Sequence, residues 1–524
     1  MRARRVAMQD VEMVDVDTGA PAFDPVAAED DPAAEAERAR RRAGRRRLLR
    51  RWWPVPVVAV VLAVGTQTVL DARERERVAA RQEVEGVLRT VDPALEPTRR
   101  VPEDVAAVVL SGVVAGDLRI GPGNDPWEGP RELVAVDAAG DTVWRASLER
   151  GGSWEPGEPG LGAEYPLCLP EGDPVTSVRC LVLDRTMDTA TEVEDGAWIP
   201  GPPTAGRLMS FDPATGRARD EQDVPPVSGW DAGDGLQVLA SVTDGALVVT
   251  AWPEGGAPDG EPRWRTELPL GTDAATPQSL TYPPGVTVVR GHVLVQGDLG
   301  SWALAAADGA LEREGVDYLT LTRGGHLTSP GTPAEVLGPD GRTLATLPGS
   351  PLALTVDDGS VPDVELLVVQ DGGRRELVGY DVTADETLWT LPRSAWVDSG
   401  FVLLDGVLYG GDREAVWAVD VATGRETWRT PSPVANDTGG VLTDGRHLLV
   451  LAATRAAADA GVSIDPATGA VTSETPASSR TVLAYSLGDG QLAWATRLPD
   501  DVQGVWAWQG DLLAFGAGDV LVLN

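Results

Sequence analysis

The sequence predicts an all-β fold, because one short unit recurs along most of the chain and the apolar runs between its copies are brief. The clearest copy is Asp420-Val421-Ala422-Thr423-Gly424-Arg425-Glu426-Thr427-Trp428. A unit that returns every few tens of residues is typical of a repeat architecture. Other copies supply Asp137, Gly140, Trp144, Asp212, Gly216, Trp264, Asp381, Trp389, Gly490 and Trp494 at the equivalent positions.

Groups of four short strands separate these copies. Residues 286–289, 293–296 and 301–305 are apolar runs divided by turns, and Asp308-Gly309 leads into a fourth. Four antiparallel strands of this kind form one blade of a β-propeller. Similar units near 106–150, 165–222, 227–270, 286–316, 317–348, 350–393, 400–432 and 438–500 predict an eight-bladed propeller of four-stranded antiparallel blades, with seven blades as the alternative.

The residue types of the unit have physical reasons. Gly adopts positive φ at little cost, and Asp before it bonds the amides of a turn. Trp combines a large apolar area with one N–H donor, which suits packing between neighbouring blades. Asp220 stands where one copy would have Trp, so we expect that junction to be packed differently.

The chain ends in three apolar runs, at 505–508, 512–515 and 520–523. Three strands are one short of a blade. We expect a strand from the start of the domain, within 105–110, to complete them, because closing the ring removes exposed strand edges.

Residues 52–70 form an uncharged stretch of 19 residues, enough to cross a hydrocarbon layer of roughly 30 Å. Nine Arg lie within 38–51, whereas Arg and acidic residues alternate after the stretch. The positive-inside rule then predicts a disordered cytoplasmic tail at 1–51 and a C-terminal domain outside the cell membrane. A cleavable signal peptide is the alternative.

Residues 71–104 follow as a juxtamembrane helix and a Pro-rich linker. Val84, Val87, Leu88 and Val91 are spaced as one apolar stripe of a helix. Such a helix either pairs with a second copy or rests on the propeller. The propeller itself is predicted over 105–524.

Charge and composition exclude several functions. Beyond residue 100 the chain has 63 acidic and 25 basic side chains, so it repels phosphate backbones and nucleic acid is an unfavourable partner. All 44 basic residues are Arg, which excludes a phosphate-binding loop and any Schiff-base lysine. Cys168 and Cys180 are the two cysteines, and we expect either a disulfide or two free thiols.

The copies resemble the repeats of the pyrroloquinoline-quinone-type β-propeller family, whose signature is Ala-x-Asp-x-x-Thr-Gly with Trp four residues later. The stretch from Trp417 to Trp428 matches this signature. The family contains quinoprotein dehydrogenases and a non-enzymatic branch that includes the outer-membrane-protein assembly lipoprotein. Cys168 and Cys180 are not the adjacent pair of the dehydrogenases, and the lipid-bearing N-terminal Cys of the lipoprotein is missing. The resemblance therefore implies the fold and, for function, the non-enzymatic branch.

No catalytic, metal or cofactor site is predicted from the residues. His292, His326 and His447 lie in hairpin turns of three blades, where we expect exposed and separate side chains. The acidic pairs Asp357/Asp358 and Asp500/Asp501 are interpreted as turn residues. Trp154 and Trp198, on insertions, are candidates for exposed contacts to a partner.

The sequence therefore predicts a single-pass membrane protein that holds a propeller in the cell envelope. Its expected role is non-catalytic binding or scaffolding of an envelope protein or glycan, without a cofactor. Two alternatives stay open: a quinone- or metal-dependent oxidoreductase, and a sensor that signals through a cytoplasmic partner.

Overall fold

The computed structural model describes part of the chain and divides it into two units. The described residues are 54–101, 105–108, 112–123, 131–137, 139–149, 166–172, 174–184, 191–192, 198–199, 203–243, 245–255, 260–270, 283–297, 299–315, 319–329, 334–338, 342–371, 374–393, 400–412, 415–431, 440–453, 463–464, 471–472, 480–499, 502, 504–508, 510–515 and 520–523. The units are 1–76 and 77–524. The tail predicted at 1–51 lies outside the described residues.

One long helix, α1 (Pro54–Gln82), precedes the strands. No helix in the described part of the chain has the combination of length and apolarity needed to span a bilayer. The predicted span 52–70 begins at two residues outside the described ones. The helix ends at Gln82, whereas the sequence predicted helix to residue 91; turns follow at 83–86 and irregular chain after them.

The second unit is a β-propeller of nine blades. Its described strands form eight four-stranded antiparallel sheets and one five-stranded sheet, in which a parallel strand is added to four antiparallel ones. The prediction of eight blades, with seven as the alternative, was therefore wrong in number. The first strand in the chain, β1 (Pro97–Val101), completes blade 9, and blade 1 consists of β2 (Val113–Ala115), β3 (Leu118–Pro122), β4 (Glu132–Val136) and β5 (Thr142–Ser147). Blade 2 consists of β6 (Leu167–Glu171), β7 (Ser177–Asp184), β10 (Ala205–Phe211) and β11 (Ala218–Val224), and the hairpin β8 (Thr191–Glu192) and β9 (Trp198–Ile199) lies between β7 and β10 in the chain. Blade 3 consists of β12 (Ser228–Gly233), β13 (Leu236–Thr243), β14 (Ala246–Pro253) and β15 (Trp264–Pro269), and blade 4 of β16 (Gly285–Val289), β17 (His292–Gly297), β18 (Gly300–Ala305) and β19 (Leu311–Gly315).

The remaining strands build blades 5 to 9. They are β20 (Thr320–Leu321), β21 (Leu327–Ser329), β22 (Ala334–Leu337) and β23 (Thr343–Leu347) of blade 5; β24 (Ser350–Pro351), β25 (Leu354–Asp357), β26 (Val364–Asp371), β27 (Arg374–Asp381) and β28 (Glu386–Arg393), of which all but β25 form blade 6; β29 (Phe401–Leu404), β30 (Val407–Gly411), β31 (Ala415–Asp420) and β32 (Arg425–Pro431) of blade 7; β33 (Val441–Thr443), β34 (His447–Ala453), the hairpin β35 (Ser463–Ile464) and β36 (Val471–Thr472), then β37 (Arg480–Ser486) and β38 (Leu492–Arg497) of blade 8; and β39 (Gly504–Trp508), β40 (Asp511–Phe515) and β41 (Val520–Leu523) of blade 9.

Nine apolar clusters lie between successive blades and close the ring. Eight of them join blades 1 to 9 in order. The ninth joins blade 9 to blade 1 through Val101, Leu513 and Val522 on one side and Val134 and Val136 on the other, all five almost fully buried. Because each sheet face is covered by its neighbour, the core is divided among the junctions.

The closing strand is β1, not a strand within 105–110. It pairs antiparallel with β41 from Pro97 to Val101, whereas residues 105–108 are helical. β1 is the outer strand of blade 9, and it hydrogen bonds to the edge that β41 would otherwise expose. Counting this sheet accounts for the ninth blade.

The repeated Trp and Gly residues meet across the junctions. The Trp428 indole donates to the carbonyl of Leu487 at 3.0 Å, and Gly490 (φ +68°) lies under its ring. The same arrangement, Trp to a carbonyl and onto a Gly of the next blade, is made by Trp144 with Pro213 and Gly216, Trp264 with Ala306 and Gly309, and Trp389 with Val421 and Gly424.

Four junctions lack the Trp, and Asp220, Arg313, Ala345 and Arg99 stand at its position. Two of these junctions show how the packing changes. Asp220 pairs with Ser210 at the Trp position of blade 2, and the matching turn of blade 3 has open space around Gly255. At the closing junction Arg99 takes the place of Trp: its Cδ lies against Gly140 and its Nη1 donates to the carbonyl of Asp137 at 3.3 Å. An Arg side chain can do this because its methylenes pack and its guanidinium donates.

A disulfide joins Cys168 of β6 to Cys180 of β7, which are direct cross-strand partners. Both sulfurs belong to the apolar cluster between blades 1 and 2. The bond closes a short loop between the first two strands of blade 2, which restricts the unfolded chain.

Candidate binding site at one end of the central channel

The first strand of each blade lines the centre of a propeller, so the turns after the first strands surround one channel mouth. Hydrogen bonds link these turns from blade to blade. The Asp234 carboxylate accepts from the amide of Gly291 at 2.6 Å, and the Asp358 carboxylate accepts from the amide of Asp405 at 2.5 Å. Arg290 donates to the carbonyl of Arg323 at 2.6 Å. These bonds fix the rim of the mouth.

Arg323 joins blade 5 to blade 6 at the rim. Its guanidinium donates to both oxygens of Asp357 at 2.8 Å and to the carbonyls of Val361 and Val364 at 2.7 and 2.9 Å. Burial raises the pKa of Asp357, but the hydrogen bonds from Arg323 outweigh it and hold that pKa below its ordinary value. Asp357 is therefore charged and already paired.

β25 departs from its own blade beside this pair. It runs parallel to β29 of blade 7, with Leu354 opposite Phe401 and Asp357 opposite Leu403. The Thr355 hydroxyl donates to the carbonyl of Phe401 at 3.0 Å. The strand adds an inner layer to blade 7, which narrows the channel mouth on that side.

Glu365 is a buried acid on blade 6, only 3 % exposed. It accepts the amide of Arg323 at 2.7 Å. Burial raises the pKa of Glu365 to about 7, although Arg323 opposes the shift. Ionisation of this carboxyl near neutral pH therefore costs stability.

Residues 81–95, which begin with the last two residues of the helix, cross the mouth over blades 7, 8 and 9. Arg81 donates to Asp405 at 2.7 Å and to the carbonyl of Gly445 at 2.8 Å. The amides of Leu88 and Arg89 donate to the carbonyls of Thr443 and Gly510 at 2.8 and 2.7 Å. The apolar side chains Val87, Leu88, Val91 and Leu95 are buried in the junctions of blades 7, 8 and 9.

Gly86 allows the 81–95 segment to approach β25. Its φ is +86°, and a β-carbon there would lie 2.5 Å from the carbonyl oxygen of Thr355. A side chain at this position would push the segment off the strand. The close approach forms one wall of a cavity.

Asp511 anchors the far end of the segment. It is 1 % exposed and pairs with both Arg89 and Arg119, the latter at 2.8 Å. Burial, with Arg99 and Arg89 nearby, lowers the pKa of Arg119 to about 10, which still leaves it charged. Blade 9, blade 1 and the 81–95 segment are thus joined through one carboxylate.

A cavity of about 710 Å³ lies at the mouth between these parts. Its walls are residues 82–87 and Arg89, Thr355 and Asp357 of β25, and Ala507, Trp508 and Gly510 of blade 9. Glu83 and Glu85 are exposed on its wall and form no ion pair with any described residue. The Nε1 atom of Trp508 is buried and has no hydrogen-bond partner among the described residues.

Two of the three histidines come together, contrary to the sequence-based expectation. His292 and His326 line a cavity of about 110 Å³ between blades 4 and 5. Nδ1 of His292 is 2.7 Å from Glu312, and its Nε2 is 3.2 Å from the carbonyl of Gly325. His447 is separate and bonds Asp444 at 3.0 Å.

The other sequence-based candidates contribute no site in the described residues. No group of three or more His, Cys, Asp or Glu side chains there could hold a metal ion. Asp357 and Asp358 both accept turn amides as expected, and Asp357 is also paired with Arg323. Asp500, Asp501, Trp154 and the Trp198 side chain lie outside what the structure describes.

The comparisons with known proteins concern the fold. No protein-family model matches the chain, and no curated protein matches its sequence. Similar solved structures include BamB from Moraxella catarrhalis, at 15 % identity and TM-score 0.30 over 68 % of this chain and 99 % of that one.

Dehydrogenases also appear among the similar structures. A europium-containing methanol dehydrogenase is 13 % identical with a TM-score of 0.32, covering 67 % of this chain and 75 % of that one. The quinohemoprotein alcohol dehydrogenase from Comamonas testosteroni is 12 % identical with a TM-score of 0.31, covering 72 % and 80 %. The chain is similar to both kinds of protein at low identity, and its propeller fold is shown by its own sheets.

Proposed function

We propose that this protein is a non-catalytic binding module of the cell envelope and that the 710 Å³ cavity at the channel mouth is its binding site. Ligand sites are concave, with volumes of roughly 300–1,000 Å³ and a few convergent polar groups. The cavity fits this description in volume, and Glu83 and Glu85 on its wall are exposed and form no ion pair with any described residue.

The observation that carries the proposal is the construction of the cavity wall. Residues 81–89 are held by hydrogen bonds to three blades, and Gly86 lets them pass against β25. A wall fixed in this way is preorganised, which reduces the entropy lost when a partner binds.

Site-specific photo-crosslinking in cells tests this role. The full chain would carry p-benzoylphenylalanine at position 85, and the matched control would carry it at position 254, an exposed Glu on a turn of blade 3. We expect discrete adducts with an envelope protein or glycan at position 85 and not at 254. Identical adduct patterns at both positions, or none at either, would overturn the assignment of the site.

For localisation we propose anchoring through residues 52–70, with 1–51 in the cytoplasm and 77–524 outside the membrane. The uncharged stretch and the nine Arg before it support this orientation. Protease added to intact spheroplasts should degrade the propeller and spare an N-terminal epitope tag. Complete protection of the propeller would contradict the orientation.

One observation also favours the sensor alternative. The segment that lines the cavity begins at the end of α1. Residues 77–82 of that helix belong to the same unit as the propeller. Ligand binding at the cavity would then alter the anchoring of Arg81. A site-specific crosslink between the tail and a cytoplasmic protein that changes when the cavity is blocked would support signalling, and an unchanged crosslink would oppose it.

A further inference from the structure

We propose that an apolar cavity of about 290 Å³ between blades 8 and 9 binds the acyl chain of a small carboxylate, and that Arg480 holds the carboxylate group. This site is separate from the channel-mouth cavity, and its ligand is independent of the function proposed there. The position of the cavity, its apolar lining and one cation without a partner carry the proposal.

The cavity lies at the end of the ring opposite the channel mouth. Gly440 and Gly504 line it, and they stand at the start of the first strands β33 and β39, whereas the turns after these strands surround the mouth. Arg480 begins β37 and pairs with Ala453, the last residue of β34, at the same end. The two cavities are therefore reached from different ends of the propeller.

Gly440 leaves space in this junction. A β-carbon on Gly440 would meet no heavy atom within 4 Å. Residues two apart on a strand face the same side of a sheet, so a side chain at position 440 would point in the direction of Leu442. Leu442 packs against the apolar cluster between blades 8 and 9. The open space is therefore on the face that the two blades share.

The lining of the cavity favours an acyl chain over a peptide. Its aliphatic side chains are those of Leu442, Leu449, Leu451, Val482, Val505 and Leu512. Apart from Arg480 and the indole of Trp506, no described side chain of the lining has a polar atom. A peptide placed here would leave backbone N–H and C=O groups without partners, which costs free energy. An acyl chain has no such groups, and burial of its methylenes is favourable.

Arg480 supplies the charge at the wall. Its side chain is partly buried and forms no ion pair or hydrogen bond with any described residue. Arg480 and Val482 share one face of β37, and Val482 belongs to the apolar cluster between blades 8 and 9. A guanidinium matches a carboxylate with two parallel hydrogen bonds, so the unpaired charge selects a carboxylate as the polar end of the ligand.

The net charge of the protein disfavours anions in general. Beyond residue 100 the acidic side chains outnumber the basic ones by 63 to 25. At about 150 mM salt this field is screened over about 8 Å, whereas a carboxylate in contact with Arg480 is not screened from it. Arg480 is also the one charged residue among the described residues that line the cavity. Binding of a carboxylate is therefore expected to depend on this local cation.

The test is isothermal titration calorimetry of the full chain in nanodiscs of zwitterionic lipid, with octanoate and its neutral analogue octanamide as ligands and empty nanodiscs as the blank. Arg480→Met keeps an apolar side chain and removes the charge. Arg446→Met is the matched control, because it removes the same charge from an exposed turn of blade 8 at the channel mouth.

We expect the affinity for octanoate to fall about 10-fold in Arg480→Met and less than about 2-fold in Arg446→Met. The affinity for octanamide should stay within about 2-fold in both variants, since this ligand has no charge to lose. Equal losses of octanoate affinity in the two variants, or no binding of octanoate to the unmodified chain, would overturn the proposal.

Gly440→Leu tests the location by filling the cavity. Because a β-carbon at this position meets nothing, the variant should unfold within about 2 °C of the unmodified chain. The affinities for octanoate and octanamide should both fall at least about 10-fold, since the new side chain occupies the space of the acyl chain. Undiminished binding of either ligand would place the site elsewhere.

Photolabelling of the unmodified chain locates the ligand without any substitution. A diazirine-bearing octanoate should give adducts within 440–451 and 504–515, the segments of blades 8 and 9 that line the cavity. Adducts confined to other parts of the chain would overturn the site.

A short apolar peptide tests the class of ligand. The tripeptide Ala-Leu-Leu has a terminal carboxylate and apolar side chains, but its backbone amides would be unpaired in the cavity. We expect it to bind at least about 10-fold more weakly than octanoate. Binding as tight as that of octanoate would overturn the assignment of an acyl chain.

Discussion

Trp428 lies so close to Gly490 of the next blade that a β-carbon on Gly490 would be 2.4 Å from the Cε3 atom of the indole ring. The distance explains why Gly and Trp recur together: the turn needs positive φ, and the neighbouring ring needs a surface without a side chain. The two requirements come from different blades, which ties the repeat in the sequence to the junctions of the ring.

Replacing Gly490 with Ala should therefore destabilise the propeller more than a Gly→Ala substitution in a turn that no side chain contacts. The positive φ costs about 1 kcal/mol, and displacing the indole adds about 1–3 kcal/mol. Gly255→Ala is the matched control, since Gly255 has φ +74° in the equivalent turn of blade 3 and nothing within 4 Å. Denaturant unfolding should show a loss for Gly490→Ala that exceeds the loss for Gly255→Ala; equal losses would remove the indole contact from the explanation.

Arg81→Ala should loosen the 81–95 segment without unfolding the ring. The substitution removes three hydrogen bonds, two to Asp405 and one to the carbonyl of Gly445. Asp405 is about half exposed, so we expect a local loss of about 1 kcal/mol. Hydrogen exchange at the amides of Leu88 and Arg89 should become about 5-fold faster.

The control for this experiment is Arg219→Ala, which removes an Arg–Asp pair on blade 2 far from the segment in sequence. Its exchange at Leu88 and Arg89 should match that of the unmodified chain. Faster exchange at these amides in both variants would indicate a general loss of stability and would contradict a local effect of Arg81 on the 81–95 segment.

Glu365 should make stability depend on pH. Its folded pKa of about 7 is above its ordinary value of 4.5, so the protonated form contributes stability that is fully present below pH 4.5 and is lost as the pH rises through 7. The shift corresponds to about 3 kcal/mol. The difference in unfolding free energy between the unmodified chain and Glu365→Gln should decline between pH 4.5 and pH 7.5. A difference that does not change with pH would show that burial does not raise the pKa of Glu365.

Much of the fold can be predicted from the sequence because each repeat contains its own turn and junction residues. Asp420, Gly424 and Trp428 each serve a turn or a junction within two adjacent blades. The different packing at Asp220, which stands at a Trp position, could be predicted for the same reason. The C-terminal blade was expected from its three strands but was not included in the count. Its fourth strand was placed within 105–110 because β1, Pro-Thr-Arg-Arg-Val, is an outer strand with mostly exposed residues and has no apolar alternation.

The channel-mouth cavity could not be predicted from the sequence. Val84, Val87, Leu88 and Val91 have helical spacing, yet Gly86 at positive φ interrupts a helix there. The first two side chains pack into the junction of blades 7 and 8, and the last two into the junction of blades 8 and 9. Glu85 and Trp508 lie more than 400 positions apart, and no local pattern connects them. Only ring closure, which places blade 9 beside the start of the propeller, brings them together.

The role of β1 leads to the final prediction, which concerns where the folded unit begins. A chain shortened to 102–524 lacks β1 and leaves the edge of β41, a strand buried along its length, without a partner. Such an edge pairs with other chains, so we expect aggregation and loss of a single cooperative unfolding transition. Light scattering and calorimetry measure both.

A chain shortened to 77–524 retains the 81–95 segment and β1 and should be monomeric and cooperative. Adding a synthetic peptide of residues 95–103 to the 102–524 chain should restore solubility by strand addition. If 102–524 is as monomeric and as stable as 77–524, β1 is not what closes the ring.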